Sequence, residues 1–522
     1  MDSAKKILSL EELVKVVEAL RQEGKTIVQS HGVFDIIHPG IIQHLKEAAS
    51  LGDVLVVTII KDKDVRRGPS RPVFPDRLRA ENVAALGMVN YTCVVEDEIP
   101  FECVKRINPE IFAKGQAYKD RDRKMHEKIF REERELFLGK SRIIETTGFS
   151  FSASDIINHL LDLYSEETKL FLDDFSKKYT FHEVAAAINS LSDLKVLVLG
   201  DAIIDEYHFC TPMGKSAKAQ LVVNKFLTHE VYPGGVLAVA NHVAAVCSKV
   251  TLVTMLGRED ARDEFISKNL RPNIKKKIFF REDGPTVVKK RYVDHYNNQK
   301  LFEINYLNDR YLDRDSEDEV ITFLSGEIPR YDLIMVADFG HDFLSQGIIQ
   351  ALEANTRVLA VNTQTNAANY GFNFITKYRQ PWFVCLAEHE VRLAMRNKTQ
   401  DIGIVARELC QTLGSERLIV TLGKKGSLGL DQAHDLIYTP IFSPKIVDTV
   451  GAGDAVFSYT ALCSAKGLPL DLTTFVGNMV GALAVQIMGN KESVEKYAVL
   501  EFISSILEPG KMRLPQRAEL SR

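Results

Sequence analysis

Apolar positions along this chain switch between two periods, and the switches mark a repeated strand–helix order. Leu10, Leu13, Val14, Val17 and Leu20 recur at helical spacing behind a Ser9-Leu10-Glu11-Glu12 capping box, and Gly24 stands where such a helix ends. Residues 26–30 and the unbroken run Val54-Leu55-Val56-Val57-Thr58-Ile59-Ile60 read as strands. Between them Ile41, Ile42, Leu45, Ala48 and Ala49 read as a helix after Gly40. Strand, glycine loop, helix and strand make a βαβ unit with a parallel sheet, whose ligand lies at the C-terminal end of the first strand. A helical pattern runs from Ile156 to about Phe175, residues 173–180 are polar, and a short helix over 181–188 leads to the strand Lys195-Val196-Leu197-Val198-Leu199. That strand ends at Gly200-Asp201, and Pro233-Gly234-Gly235 opens a helix of small residues carrying Asn241. The stretches around 207–228 and 286–305 are β-rich. The pattern predicts two α/β domains, over 1–175 and 180–522, the second with a small β lid. No Gly/Ser-rich linker separates them, so a close-coupled pair is expected.

Composition narrows the function classes. A chain of 522 residues has room for two or three full cores. Its formal net charge of −4 lacks the basic excess of a nucleic-acid or anionic-membrane binder. The seven cysteines form no CxxC pair and no cluster with histidines, which points to a reducing compartment and away from a disulfide framework or structural zinc. No signal core follows Met1, and no apolar run reaches the ~18 residues of a membrane span. A cytoplasmic protein is expected.

The strongest candidate for chemistry is Asp448-Thr449-Val450-Gly451-Ala452-Gly453-Asp454, followed by Ala455-Val456-Phe457. Glycines one residue apart let the backbone approach a ligand, and amides at a helix start attract an anion. A carboxylate at Asp454, beside bound phosphate, suits a base that takes the proton of an attacking hydroxyl. Taken alone, the stretch reads first as a glycine turn with Asp454 as a helix cap. Asp201, Asp205 and Asn241 add donors and acceptors fit for sugar hydroxyls, and Gly234-Gly235 a close approach. Lys289 and Arg291, two apart on a strand, share one face and suit a phosphate on the sugar.

Two resemblances organise these residues. Gly32, Phe34, Asp35, His38 and Gly40, then Arg71-Pro72-Val73, Arg79, Ala113-Lys114-Gly115 and Phe151-Ser152-Ala153-Ser154-Asp155, resemble the cytidylyltransferase-like nucleotidyltransferases over about 130 residues. The resemblance implies a Rossmann-like domain that binds a nucleoside triphosphate, ATP or CTP. It places His38 as a catalytic group and Phe34, Asp35, Gly40, Lys114, Ser152 and Ser154 at the nucleotide. Ile41 stands where that family has a second histidine, with His44 one turn later. A sugar-phosphate contact by Arg121 or Arg123 is a further candidate.

Residues 195–505 resemble the ribokinase-like sugar kinases, through Asp201, Gly234-Gly235, Thr421-Leu422-Gly423-Lys424-Lys425-Gly426 and the Asp448–Asp454 stretch. Gly200-Asp201, Asp205, Tyr207, Thr286, Lys289, Arg291, Asn298-Gln299 and Val336-Ala337-Asp338-Phe339-Gly340 narrow this to the heptose-phosphate kinase part of bifunctional ADP-heptose synthases. The resemblance implies ATP and Mg²⁺ as cofactors. It gives Asp454 as base, Gly451, Ala452 and Gly453 as the anion hole, and Thr421, Gly423, Gly426 and Asn478 at the nucleotide. Asp201, Asp205, Gly234, Gly235, Asn241, Lys289 and Arg291 then face the sugar, and Glu390 meets Mg²⁺ through water. A homodimer through the lid is expected. The chain departs from this pattern at Ala387, where an asparagine is usual, at Asn362-Thr363-Gln364 for Asp-Pro-Lys, and at His341 for lysine. The two domains also run in reversed order. The reading is a bifunctional sugar-phosphate kinase and sugar-1-phosphate nucleotidyltransferase. The alternatives are a kinase with an inactive or regulatory nucleotidyltransferase-like domain, and a non-catalytic sugar and nucleotide sensor.

Overall fold

Ser9 caps the first helix as its sequence requires. In the computed structural model its hydroxyl accepts the Glu12 N–H at 3.3 Å, and the Glu12 carboxylate accepts the Ser9 N–H at 2.9 Å. The structure describes residues 3–65, 68–69, 71–96, 101–115, 141–146, 164–308, 310–431, 436–443 and 446–507. It divides into two compact units, Met1–Ala185 with the chain from Leu500, and Ala186–Val499. Among the described residues no helix is long and apolar enough to cross a membrane.

In the first unit α1 (Leu10–Gln22) ends at Gly24, whose φ of +80° is the left-handed turn that favours glycine. Then follow β1 (Ile27–Gly32), α2 (Pro39–Ala49), β2 (Val54–Ile60), α3 (Asp76–Ala84), β3 (Tyr91–Val95), α4 (Phe101–Ile107), β4 (Ile111–Lys114) and β5 (Arg142–Glu145). The strands lie in the order β3-β2-β1-β4-β5, all parallel. Both faces are covered: Ile27, Val54 and Val56 join one core with Leu13 and Val17, while Val28, Leu55 and Val57 join another with Leu45 and Val83. That two-sided burial is why β2 reads as a continuous apolar run. The order reverses between β1 and β4, so the crevice for a ligand lies beyond their C-terminal ends. Two further helices, α5 (Glu166–Lys178) and α6 (Phe181–Ser190), precede the second sheet.

The second unit is built on β6 (Lys195–Gly200), β9 (Lys249–Glu259), β10 (Ile274–Pro285), β13 (Leu333–Asp338), β14 (Leu359–Thr363), β15 (Phe383–Ala387), β16 (Arg417–Thr421), β17 (Ser427–Asp431) and β18 (Ile437–Thr439). They form a nine-stranded sheet, β10-β9-β6-β13-β14-β15-β16-β17-β18. It is parallel from β10 to β16, with β17 and β18 antiparallel. A second, four-stranded sheet in the order β12-β11-β7-β8 consists of β7 (Ala202–Lys215), β8 (Val222–Gly235), β11 (Val287–Asp294) and β12 (Lys300–Tyr306). This is the β lid that the two β-rich stretches foretold. The helices of this unit are α7 (Val236–Ala244), α8 (Asp263–Asn269), α9 (Arg314–Glu327), α10 (Gln346–Asn355), α11 (Glu388–Ala394), α12 (Ile402–Leu413), α13 (Ala452–Ala465) and α14 (Leu470–Ala484), and α15 (Lys496–Leu507) runs across the boundary at Leu500. Here the order reverses between β6 and β13, and Asp201 follows the first of these while Phe339-Gly340-His341 follows the second.

Candidate active sites

Gly451 initiates α13 with φ +82°, and a Cβ there would collide with Asn490 Oδ1, so both conformation and space require glycine. Ala452, Gly453 and Asp454 occupy the first turn, where amides have no intrahelical acceptor. Ala452 N–H makes only a long 3.4 Å contact with the Thr449 carbonyl, and nothing stands within 4 Å of where a Gly453 Cβ would lie. The first-turn amides are thus open on the side where an anion seat is expected. Asp454 is buried behind it, and its Oδ1 accepts from Gln364 Nε2 at 2.7 Å. Burial first, then the charges of Asp205 and Glu390, raise its pKa to about 7 against the opposing pull of Gln364 and Lys289. A carboxylate titrating there is matched to proton abstraction near neutral pH.

A cleft of about 700 Å³ opens beside this turn, and Thr421, Gly423, Gly426 and Asn478 line it together with Ala452 and Gly453. All four residues expected at the nucleotide are thereby brought to the anion seat, in a space of nucleotide size. Asn478 is held by the Ser427 hydroxyl at 2.7 Å and the Thr474 carbonyl at 3.1 Å. Glu390, expected near Mg²⁺, uses its oxygens on backbone: Oε1 accepts from Thr365 N–H at 3.0 Å and Oε2 from Ala387 N–H at 2.8 Å. Burial nonetheless raises its pKa, and its charge reaches Asp454.

The residues expected at the sugar come from the lid and from the crevice between β6 and β13. Asp201 Oδ2 accepts the Phe339 N–H at 2.9 Å and the His341 N–H at 3.4 Å, while burial and the nearby Asp338 raise its pKa to about 7. Gly234 lies so close to Asp205 that a Cβ would strike the carboxylate, which accounts for the glycine. Lys289 on β11 stands opposite Asp205 on β7 and shares a strand face with Arg291, as expected. Two assignments change. Arg291 is ion-paired with Asp205, and with Glu303 at 2.7 Å, so it braces these carboxylates and does not stand as a free cation. Lys289 is buried, which lowers its pKa, and it makes no hydrogen bond or ion pair among the described residues. Asn241 does not face a sugar. Its Nδ2 donates to the Asn269 carbonyl at 2.9 Å and its Oδ1 accepts the Arg271 N–H at 3.0 Å, tying α7 to the end of α8.

Other residues at the site carried no local signal. Gln364 reaches Asp454 across 90 positions of sequence. Lys300, on β12, pairs with Asp448 Oδ1 at 2.7 Å, while the Tyr207 hydroxyl at 3.2 Å and the Gly489 N–H at 3.1 Å donate to Asp448 Oδ2. Burial opposes ionisation of Asp448, but the Lys300 hydrogen bond and charge outweigh it and lower the pKa. The lid and the anion loop therefore share an ion pair.

In the first unit His38 is the N-cap of α2 and is buried, which lowers its pKa and favours the neutral ring. Gly40 follows in the first turn, Phe34 has a positive φ of +51°, and Lys114 ends β4 on the far side of the crevice. Asp35 serves a different purpose from the one expected. Its carboxylate accepts the N–H groups of Val73 at 2.8 Å and Phe74 at 3.0 Å, fixing the approach to α3. Ile41 packs on the core beside Leu45, and His44 is held between Ser30 Oγ at 2.8 Å and Thr146 Oγ1 at 2.7 Å. Burial takes the pKa of His44 to about 4. Neither residue supplies the second histidine. Ser152, Ser154, Arg121 and Arg123 lie outside the described residues.

Comparison with known proteins matches the pfkB family of carbohydrate kinases over residues 193–496 and the cytidylyltransferase-like family over residues 30–158. The chain therefore carries both domains, in the reverse of the order in ADP-heptose synthases. It is 33% identical over 163 residues to the bifunctional protein HldE of Syntrophotalea carbinolica, covering 31% of this chain and 32% of that protein. Against the HldE of Koribacter versatilis it is 25% identical over 341 residues, covering 64% and 68%. The chain thus spans about a third of the length of the first of these relatives. Among solved structures, phosphofructokinase-2 from Escherichia coli with fructose-6-phosphate is 15% identical (TM-score 0.47), covering 60% of this chain and 99% of its own.

Proposed function

Because this chain belongs to the pfkB family of carbohydrate kinases, we propose that its second unit transfers the γ-phosphoryl group of ATP to a hydroxyl of a phosphorylated sugar. The observation that carries this reading is Asp454, a buried carboxylate beside an open helix-start anion seat and a nucleotide-sized cleft. In the reaction the acceptor hydroxyl loses its proton to Asp454 as its oxygen bonds to the γ-phosphorus, and the bond to the β-phosphate oxygen breaks to release ADP. The first-turn amides stabilise the charge gathering on the transferred group. Lys289, the cation not already ion-paired, supports an acceptor that carries a phosphate.

Two buried carboxylates, Glu390 and Asp454, with mutual repulsion acting on Asp454, fit a divalent cation held mainly by the nucleotide phosphates. When bound, Mg²⁺ would neutralise charge on the phosphates. Glu390 would meet it through water. The first unit would join a sugar 1-phosphate to a nucleotide and release pyrophosphate, with His38 and Lys114 at the phosphates and ATP or CTP as donor. A second reading, nucleotide binding without turnover, is favoured by one observation: Ile41 and His44 are both committed to packing or hydrogen bonds.

The exposed apolar residues of the β7–β8 hairpin, among them Met213, Leu221, Val222 and Phe226, support a homodimer through the lid. All seven cysteines are free and buried, in keeping with a reducing cytoplasm. The test is ADP release from ATP and Mg²⁺ with a panel of hexose and heptose phosphates, and pyrophosphate release from ATP or CTP with sugar 1-phosphates. Asp454→Asn is expected to abolish the first with ATP still bound. His38→Ala is expected to abolish the second, and absence of pyrophosphate release in the wild-type protein would establish the non-catalytic reading of the first unit.

A further inference from the structure

Where the sheet order reverses, between β6 and β13, a crevice is lined by Asp201, Arg281, Thr286, Asn308, His341 and Phe343. It leaves about 20 Å³ for a water-sized group, enough for one hydroxyl and far too little for a phosphate. Most of its polar lining is already satisfied. Thr286 accepts the Gly257 N–H at 3.2 Å and donates to the Ala261 carbonyl at 3.3 Å. Arg281 pairs with Asp283 at 2.7 Å and donates to the Arg310 carbonyl at 2.8 Å, and Asn308 donates to the Asp283 carbonyl at 2.8 Å.

Two groups differ. His341 is only 6% exposed, yet its Nε2 has no hydrogen-bond partner. Asp201 engages the backbone through Oδ2 alone, and its Oδ1 makes no hydrogen bond among the described residues. A buried ring nitrogen left without a partner costs stability unless something else completes it. Burial and the neighbouring Lys289 hold the imidazole neutral, with a pKa pushed down to about 3. A buried ring nitrogen in a space that admits one hydroxyl and no phosphate is complemented by a hydroxyl.

Resting on the kinase reading above, we infer that His341 and Asp201 form a hydroxyl-reading subsite of the acceptor sugar. The subsite selects acceptors with an unsubstituted hydroxyl at that carbon over those that are deoxygenated or phosphorylated there. Lys289 binds the acceptor's own phosphate elsewhere in the same cleft. His341 is thus a specificity-determining residue that does not line the cleft beside Ala452 and Gly453.

The experiment uses the full chain and measures ADP release with mannose 6-phosphate, fructose 6-phosphate, ribose 5-phosphate and sedoheptulose 7-phosphate. The best acceptor is then compared with its monodeoxy analogues. In the wild-type protein one analogue should lose about 10- to 100-fold in kcat/KM, mainly through KM. His341→Ala should lose a similar factor on the parent sugar and should no longer distinguish it from that analogue, with the KM for ATP unchanged. His341→Asn, which keeps a polar group, should recover part of the discrimination, and it carries the same comparison if the alanine variant fails to fold. Equal discrimination in wild type and variants, with the crevice holding an ordered water only, overturns the subsite and leaves the kinase reading standing. No ADP from any member of the panel overturns both.

Discussion

Asp454→Asn should stabilise the kinase unit while removing its activity, and the size of the gain should depend on pH. The carboxyl titrates at about 7 in the folded chain against 3.8 when exposed. Below 3.8 the group is protonated in both states and no penalty exists. Between 3.8 and about 7 the unfolded chain releases its proton first, so the folded state is progressively disfavoured as pH rises, and above 7 the cost is complete. Three pKa units at about 1.4 kcal/mol each give an upper value of about 4 kcal/mol. Asparagine cannot ionise and can still accept the Gln364 hydrogen bond. The substitution should therefore add stability, with a gain about 2–3 kcal/mol larger at pH 8 than at pH 5. The chain has a single tryptophan, Trp382, immediately before β15, so its fluorescence in urea melts reports on this unit. Turnover of the wild-type protein should show an ascending limb near pH 7, one unit below which the rate falls about tenfold. A stability gain equal at both pH values, or a loss at pH 8, would refute the claim that this carboxylate is held proton-hungry by burial.

Lys289→Met should raise the KM for a phosphorylated acceptor about 10- to 100-fold while changing that for the unphosphorylated sugar far less, as read by ADP release. Gly451→Ala forces a Cβ into a left-handed residue and against Asn490, whose Nδ2 donates to Asp205 at 3.3 Å. It should lower kcat about 10²-fold, and an alanine variant with near wild-type kcat would show that the anion seat tolerates displacement. Arg79 is fully buried and donates to the carbonyls of Val33, Ile60 and Phe74 and to Asp62. Arg79→Met should destabilise the first unit by about 3–5 kcal/mol, seen as faster hydrogen exchange of the β1 and β2 amides.

What the sequence disclosed, and what it hid, follows from how far each signal reaches along the chain. The Ser9 capping box, the left-handed Gly24 and the apolar run of β2 are local facts, and each stands where its residues indicate. The Asp448–Asp454 stretch is as local, because its turn, its helix start and its carboxylate occupy seven consecutive residues. Asn241 misled because a helical asparagine after a glycine pair looks the same whether it faces a ligand or the Asn269 and Arg271 backbone. Asp35 misled likewise, since its partners Val73 and Phe74 lie 38 and 39 residues on. Arg291 and Lys289 share a strand face, yet only the pairing with Asp205 and Glu303 separates the braced cation from the available one. Gln364 and Lys300 act on Asp454 and Asp448 across 90 and 148 positions, a reach that no local pattern encodes.

Strand β7 leaves the core at Ala202, one residue beyond β6, and runs to Lys215 without interruption. It carries Asp205 near one end and the exposed Met213 near the other, about 25 Å apart at strand rise. Register shifts at Phe209/Cys210 and Pro212/Gly214 are the points where such a lever bends. If the outer hairpin moves at those joints, an acceptor held at Asp205, as proposed above, would have to quench that motion. A lid clamped by a second copy would be stiffer before the acceptor arrives and would leave less entropy to be removed. With the lid paired to a second copy and the acceptor at Asp205, as proposed above, acceptor affinity should tighten as the concentration of the protein itself rises.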